Sequence, residues 1–256
     1  MTLSITVLGS SGMFATKERA ASGYLLEWDD SKLLLDCGGG TWRNLLTHVD
    51  YGSITGVILS HRHPDHVIDV FQLFHARHYG QLEKMPFIPL WAPAETLERI
   101  TAFGKEIDQS FAMTAVSPGD SIEHGGVSFG FHQMAHPPDT LGVRIVADGA
   151  VVAYSADTGP TGDVGALADA ADLFICEATL QDSDEEWEGH MTAAQAGAAA
   201  AAARALRALG ALRALLRRPA PGRARLARSL PQRPSPGPAS FCPLGSAIRS
   251  PRPSIG

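Results

Sequence analysis

The chain has 256 residues, 45% of them hydrophobic, and a formal net charge of −6, enough length to bury one substantial core. That average hides a division: residues 204–256 hold eleven of the 21 Lys+Arg and none of the 27 Asp+Glu, leaving the first 203 residues at −17. So acidic a body lacks the basic surface that broad nucleic-acid binding needs, and no apolar stretch is long enough to span a bilayer.

Leu3, Ile5 and Val7 alternate with Ser4 and Thr6 as a strand that ends at Gly9-Ser10-Ser11-Gly12. No basic-then-apolar leader precedes it, so a reducing cytoplasm is the expected compartment. Tyr24 to Trp28 and Leu33 to Leu35 predict two more strands, joined by the turn Asp29-Asp30-Ser31. Asp36-Cys37-Gly38-Gly39-Gly40 closes the third, its glycines permitting positive φ or close approach of a ligand. Val57 to Leu59 is wholly apolar, as in a strand covered on both faces. Helices are expected through Phe71, Leu73, Phe74 and Tyr79, and again around Ala94 to Phe103 after Pro93. Trp91, Phe103 and Phe111 read as core or pocket wall.

The second half repeats this grammar. Val127, Phe129 and Phe131 alternate, Val143 to Val146 and Val151 to Tyr154 form a hairpin across Asp148-Gly149, and Leu173 to Cys176 is another buried run. Ala193 to Arg218, rich in Ala, Leu and Arg, predicts helix. Pro219 to Gly256, with nine prolines, predicts disorder, and the domain boundary is drawn between 216 and 217. Two successive sets of strands, with helices between and after them, predict an α/β fold of two sheets packed face to face with helices outside. Of the three cysteines, Cys37 and Cys176 close apolar runs and read as buried small hydrophobes. With Cys242 they are odd in number and lack CxxC spacing, so no disulfide framework is implied.

The densest chemistry is His61-Arg62-His63-Pro64-Asp65-His66, directly after the Val57 to Leu59 strand. Three imidazoles and a carboxylate beside a buried strand are zinc-ligand types at metal-ligand spacing, a solvated loop cluster being the alternative, and nitrogen donors suit zinc rather than magnesium. Two further candidates stand at strand ends: His136, and Asp157 within Ser155-Ala156-Asp157-Thr158-Gly159, whose carboxylate could bridge two metals. Taken singly, His136 reads more often as an ordinary loop histidine, and Asp157 as no more than a turn residue.

In order and at this spacing, these residues resemble the metallo-β-lactamase superfamily, over roughly residues 1–203. The resemblance implies a four-layer αβ/βα sandwich, incomplete here at its C-terminus, with two zinc sites along one edge. His61, His63 and His136 match the ligands of the first metal, Asp65 and His66 those of the second, and Asp157 the bridging carboxylate. Gly9-Ser10-Ser11-Gly12, Cys176-Glu177-Ala178-Thr179 and Gly189-His190-Met191-Thr192-Ala193 are most similar to the ribonuclease Z-like phosphodiesterases and their cyclic-nucleotide-cleaving relatives. That likeness makes Glu177 and His190 candidates for protonating the leaving oxygen, with Asp65 a catalytic carboxylate. Thr192 and Gln195 also fit a capping box, which would make the same segment a plain helix start with His190 exposed.

The implied function is zinc-dependent hydrolysis of a small phosphodiester such as a cyclic nucleotide, by hydroxide held between the metals. Ribonuclease Z carries a tRNA-grasping arm between the positions matched by His136 and Asp157; here those residues are only 21 apart. Nucleic acid is therefore the less favoured partner, no membrane partner is implied, and a homodimer is left open. Ribonuclease Z-like tRNA processing, thioester or lactam hydrolysis, and an inactive regulatory protein are the competing readings. The last arises because the family's seventh ligand, a histidine on a strand after the helix beginning near Thr192, is missing: no histidine follows His190. The abrupt loss of Asp, Glu, Lys and His beyond residue 203, with Arg, Ala and Pro rising, predicts a shifted reading frame, a lost strand and weak second-metal binding.

Overall fold

Strict alternation in the early strands decides the layers. Successive side chains of a strand point to opposite faces, so Tyr24, Leu26 and Trp28 enter one core while Leu25 enters another. The computed structural model describes residues 2–80, 84–181, 183–184, 187–205 and 208–212. The expected disorder of 217–256 lies outside them.

The first sheet comprises β1 (Ser4–Gly9), β2 (Gly23–Trp28), β3 (Ser31–Cys37), β4 (Gly56–Ile58), β5 (Ile88–Ala92) and β6 (Phe111–Ala115), in sequential order. β1 to β3 pair antiparallel, and β3 to β6 parallel. Helices α1 (Thr41–Leu45), α2 (Pro64–Val67), α3 (Val70–Tyr79) and α4 (Ala94–Phe103) lie between these strands in sequence. The second sheet comprises β7 (Ser121–His124), β8 (Val127–Gln133), β9 (Leu141–Ala147), β10 (Ala150–Tyr154), β11 (Leu173–Ala178) and β12 (Ala208–Leu212). It is antiparallel from β7 to β10, then parallel through β11 to β12. Helices α5 (Val164–Ala168) and α6 (Ala193–Ala202) complete the chain as described.

Three apolar clusters give the four layers expected. The central one joins Tyr24, Leu26, Trp28 and Leu33 of the first sheet to Phe129, Phe131, Val143 and Ile145 of the second. Leu25, Leu34, Val57 and Leu90 pack outward on Leu45, Val70, Leu73, Phe74 and Ile100. Ala153, Phe174 and Cys176 pack outward on Leu167, Ala196 and Ala200. The architecture is thus an αβ/βα sandwich. No helix among the described residues is long and apolar enough to cross a membrane.

Three expectations need correction. The helix predicted over Ala193 to Arg218 ends at Ala202. Arg204 turns into the left-handed region at φ 57°, and the N–H of Ala170 ties the carbonyl of Ala203 at 2.9 Å. The strand expected to be lost is present: Ala208–Leu212 pairs in parallel with Phe174–Ala178. Helix propensity is a weak force beside the row of unpaired backbone groups that β11 offers at its edge. Phe103 is 73% exposed and belongs to no core, whereas Trp91 and Phe111 are buried as expected.

The central cluster carries much of the stability. Phe129 is fully buried there, so Phe129→Ala should cost about 3–5 kcal/mol, measured by equilibrium chemical denaturation. A cost below 1 kcal/mol would show that the sheets are not joined there.

Candidate metal centre

β3 pairs in parallel with β4 and β10 with β11, and the loops leaving the C-terminal ends of these strands meet at one edge of the sandwich. Asp36 stands in the last turn of β3, with its backbone at φ 60°. After β4 come Ser60, His61 and His63. His63 is the extended residue at the head of α2, where Pro64 fixes the first turn and Asp65 and His66 follow. The carbonyl of Asp65 accepts from the N–H of Ser22 at 3.1 Å and leaves no room beside Gly38, where a Cβ would come within 1.9 Å of that oxygen. β8 leads to His136, β10 to Asp157 behind the left-handed Ala156, and β11 contains Glu177.

These pieces converge. His61, His63, His136 and Asp157 each offer one ligand atom, all within 4.8 Å of one another, and so do Asp65, His66 and Asp157. Asp157 faces both groups. Its Oδ2 lies 3.8 Å from Nε2 of His61 and 3.9 Å from Nε2 of His136, while its Oδ1 lies 3.2 Å from Nε2 of His66. Tetrahedral zinc with bonds of about 2.0–2.1 Å separates its ligands by about 3.3–3.4 Å, so the cluster is already near that size.

Hydrogen bonds behind the rings fix which nitrogen points inward. Ser60 Oγ gives its proton to Asp36 Oδ2 at 2.8 Å, so it accepts from Nδ1 of His61 at 3.0 Å. Nε2 of His61 is consequently turned into the cluster, where it is buried without a hydrogen-bond partner. A buried polar nitrogen left so is costly unless it meets a ligand, and this orphan fits a metal. His136 donates from Nδ1 to the carbonyl of Gly189 at 2.8 Å, leaving Nε2 3.2 Å from Nδ1 of His63. His66 donates from Nδ1 to Asp36 Oδ2 at 2.7 Å.

Electrostatics sorts the same side chains. Burial lowers the pKa of His61, His63 and His136, keeping them neutral as metal ligands must be. Burial also works against charge on His66, but Asp157 and Asp36 outweigh it and raise its pKa. For Asp157, burial opposes ionisation, and His66 more than compensates, holding the carboxyl below the usual range.

Glu177 and His190 adjoin the cluster: with Asp157 they form a third group of ligand atoms within 4.8 Å. Glu177 accepts from the N–H of Thr158 at 2.7 Å, the N–H of Thr179 at 3.0 Å and Nδ1 of His190 at 2.7 Å. Burial raises the pKa of Glu177. Burial lowers that of His190, but the bond to Glu177 prevails and raises it. Thr192 and Gln195 do form the capping box that starts α6, yet His190 is buried rather than exposed. Cys37 and Cys176 are buried free thiols, as expected.

All eight residues singled out in the sequence therefore meet at this edge. Asp36, Ser60 and Tyr154 were missed. Tyr154 donates to Asp36 Oδ2 at 2.6 Å, so one fully buried carboxylate holds four donors. The signal available was Asp36 closing a buried strand ahead of three glycines. His75 is exposed, and His78 is half-buried against Phe74.

Residues 31–216 match a family described as the Beta-lactamase superfamily domain. The chain belongs to the beta-lactamase superfamily. Its match to that superfamily runs past residue 203, where the resemblance was expected to stop, and takes in β12. The Mycobacterium leprae protein ML1173 is 38% identical over 207 residues, covering 77% of this chain and 72% of its own. A probable metallo-hydrolase of Bacillus subtilis, YhfI, is 29% identical over 203 residues, covering 76% and 80%. The crystal structure of YhfI, a metallo-beta-lactamase fold protein, superposes with a TM-score of 0.75 over 83% of this chain and 87% of YhfI, at 28% identity. Ribonuclease Z of Thermobifida fusca is 26% identical over 255 residues, covering 77% and 79%. The superfamily fold and the histidine–aspartate cluster make the chain a metallo-hydrolase.

Asp36→Asn keeps the shape but cannot accept four hydrogen bonds, so His66 loses its orientation. Metal affinity should fall about 10–100-fold, read by titration against a competing chelator. Unchanged affinity would remove Asp36 from the centre.

Proposed function

We propose that the chain is a zinc-dependent phosphodiesterase acting on a small phosphodiester such as a cyclic nucleotide, in a reducing cytoplasm. The observation that carries this reading is the Glu177–His190 pair, buried against Asp157 beside two groups of metal-type ligands. His61, His63, His136 and Asp157 would hold one zinc, and Asp65, His66 and Asp157 a second. Bound there, zinc lowers the pKa of a coordinated water to about 7 and takes up charge on phosphoryl oxygens.

The chain's own residues supply the proton traffic. Asp65, 3.8 Å from Nε2 of His66, accepts a proton from the attacking water. His190 is held by Glu177 through Nδ1, which leaves Nε2 free to protonate the departing oxygen. Its raised pKa favours the protonated form that a proton donor needs.

Substrate size follows from the loop between His136 and Asp157. β9 and β10 pair along their length and fill the interval, leaving no projecting arm. The ribonuclease Z alignment extends over 255 positions yet takes in only 77% of this chain, so that relative carries insertions this chain lacks. The acidic body adds a charge that repels polynucleotides. A small diester remains.

The test is turnover of bis(p-nitrophenyl) phosphate by the zinc-loaded full chain, with Asp157→Ala beside it. Metal-dependent turnover in the parent, reduced at least about a hundredfold in the variant, supports the reading; no turnover of this diester or of cyclic AMP sinks it. Because His190 must be protonated to act and its pKa is raised, activity should persist above the ordinary histidine range and fall as pH rises through the shifted value. His190→Ala should abolish that alkaline limb, and an unchanged profile would exclude His190 as the acid.

The two zinc groups are unequal. With no histidine after His190, the second group has three protein ligands, one of them shared. Elemental analysis after exhaustive dialysis should find close to one tightly held zinc per chain; two retained zincs would contradict this.

A further inference from the structure

Trp187 is a large apolar side chain left 48% exposed at the rim of the centre. Its indole packs edge-on against His190, with ring centroids 4.7 Å apart, and against His136 at 5.7 Å. It lies flat over Gly189, where any Cβ would come within 2.8 Å of the indole, so only glycine admits this placement. The ring thus stands one imidazole away from the cluster, without being part of a core.

A cleft of about 530 Å³ opens at that point, lined among others by His136, Pro137, Pro138, Trp187, Asp139 and Glu188. Glu95 also lines it, but its Oε1 is engaged by Arg62 at 2.5 Å. The composition is selective. Pro137, Pro138 and Trp187 suit a flat apolar face, while the exposed carboxyl groups of Asp139 and Glu188 accept hydrogen bonds and repel anions. Among the described residues, the lining offers no lysine or arginine to a second phosphate.

We propose that this cleft holds the base of the phosphodiester substrate, stacked on Trp187, with an exocyclic amine of that base donating to Asp139 or Glu188. The favoured substrates are therefore nucleoside phosphodiesters of adenine, cytosine or guanine rather than uracil or base-free sugars. This deepens the phosphodiesterase reading and rests on it. Stacking gives affinity for any base, and the acidic rim gives preference for those that carry an exocyclic amine.

The experiment is calorimetric binding of adenosine 5′-monophosphate, uridine 5′-monophosphate and ribose 5-phosphate to the zinc-loaded full chain, for the parent, Trp187→Ala and Trp187→Phe. The adenine nucleotide should bind tightest and ribose 5-phosphate weakest. Trp187→Ala should weaken the adenine nucleotide about tenfold while leaving ribose 5-phosphate unchanged, and Trp187→Phe should recover most of the loss. Equal binding of all three ligands by the parent, binding of none, or an equal loss for ribose 5-phosphate in Trp187→Ala would overturn the inference. Turnover of bis(p-nitrophenyl) phosphate separates the two levels: turnover without base preference sinks the base site alone, and base preference without turnover of any diester sinks the phosphodiesterase reading.

Discussion

One buried carboxylate organises this edge of the molecule. Asp36 belongs to the first sheet, yet one of its four donors, Tyr154, belongs to the second, so a single charge ties the layers where the active-site loops leave them. A carboxylate buried this deeply is tolerated only because its lone pairs are filled. Those same bonds dictate the tautomers of His66 directly and of His61 through Ser60. Burial also raises the pKa of Tyr154, followed by the effect of Asp36 itself, so the phenol stays a donor.

The rest of the edge is built around what Asp36 fixes. Gly38 lets the carbonyl of Asp65 approach β3, which sets α2 and therefore the angle at which Asp65 and His66 enter. On the other sheet, Gly159 lies so close to the carbonyl of Glu188 that a Cβ would stand 1.6 Å from it. That contact seats the segment carrying Trp187, Gly189 and His190 on the loop carrying Asp157. Two glycines, Gly38 and Gly159, thus let the segments of Asp65 and Glu188 close onto loops of the centre.

What the sequence made legible was whatever it concentrates locally. His61, His63, Asp65 and His66 announce themselves within six residues, and Asp157 and His136 stand at strand ends whose alternation is plain. Asp36 did not, because its partners Ser60, His66 and Tyr154 come from 24, 30 and 118 residues away and its significance is wholly tertiary. β5 was hidden by Pro89, which ordinarily argues against a strand inside a sheet. The neighbouring β4 is only three residues long and pairs with Leu90 and Trp91, so the missing donor falls beyond its end. β12 was hidden by alanine and leucine, whose helix preference yields to the open edge of β11. Trp187 carried no signal at all, since an exposed tryptophan in a loop looks the same with or without a neighbouring cleft.

The carboxylates also divide the labour among the histidines. His61 and His136 are backed by a hydroxyl and a backbone carbonyl, which orient the rings; burial lowers the pKa of both, outweighing the carbonyl, which raises that of His136. His66 and His190 are backed by carboxylates, which raise their pKa despite burial. His66, however, has its second nitrogen 3.2 Å from Asp157, so both of its nitrogens face acidic groups within the cluster. His190 commits only Nδ1, to Glu177. Of the two basic imidazoles, only His190 has a nitrogen left for a substrate, and this asymmetry supports the proposal that it delivers the proton.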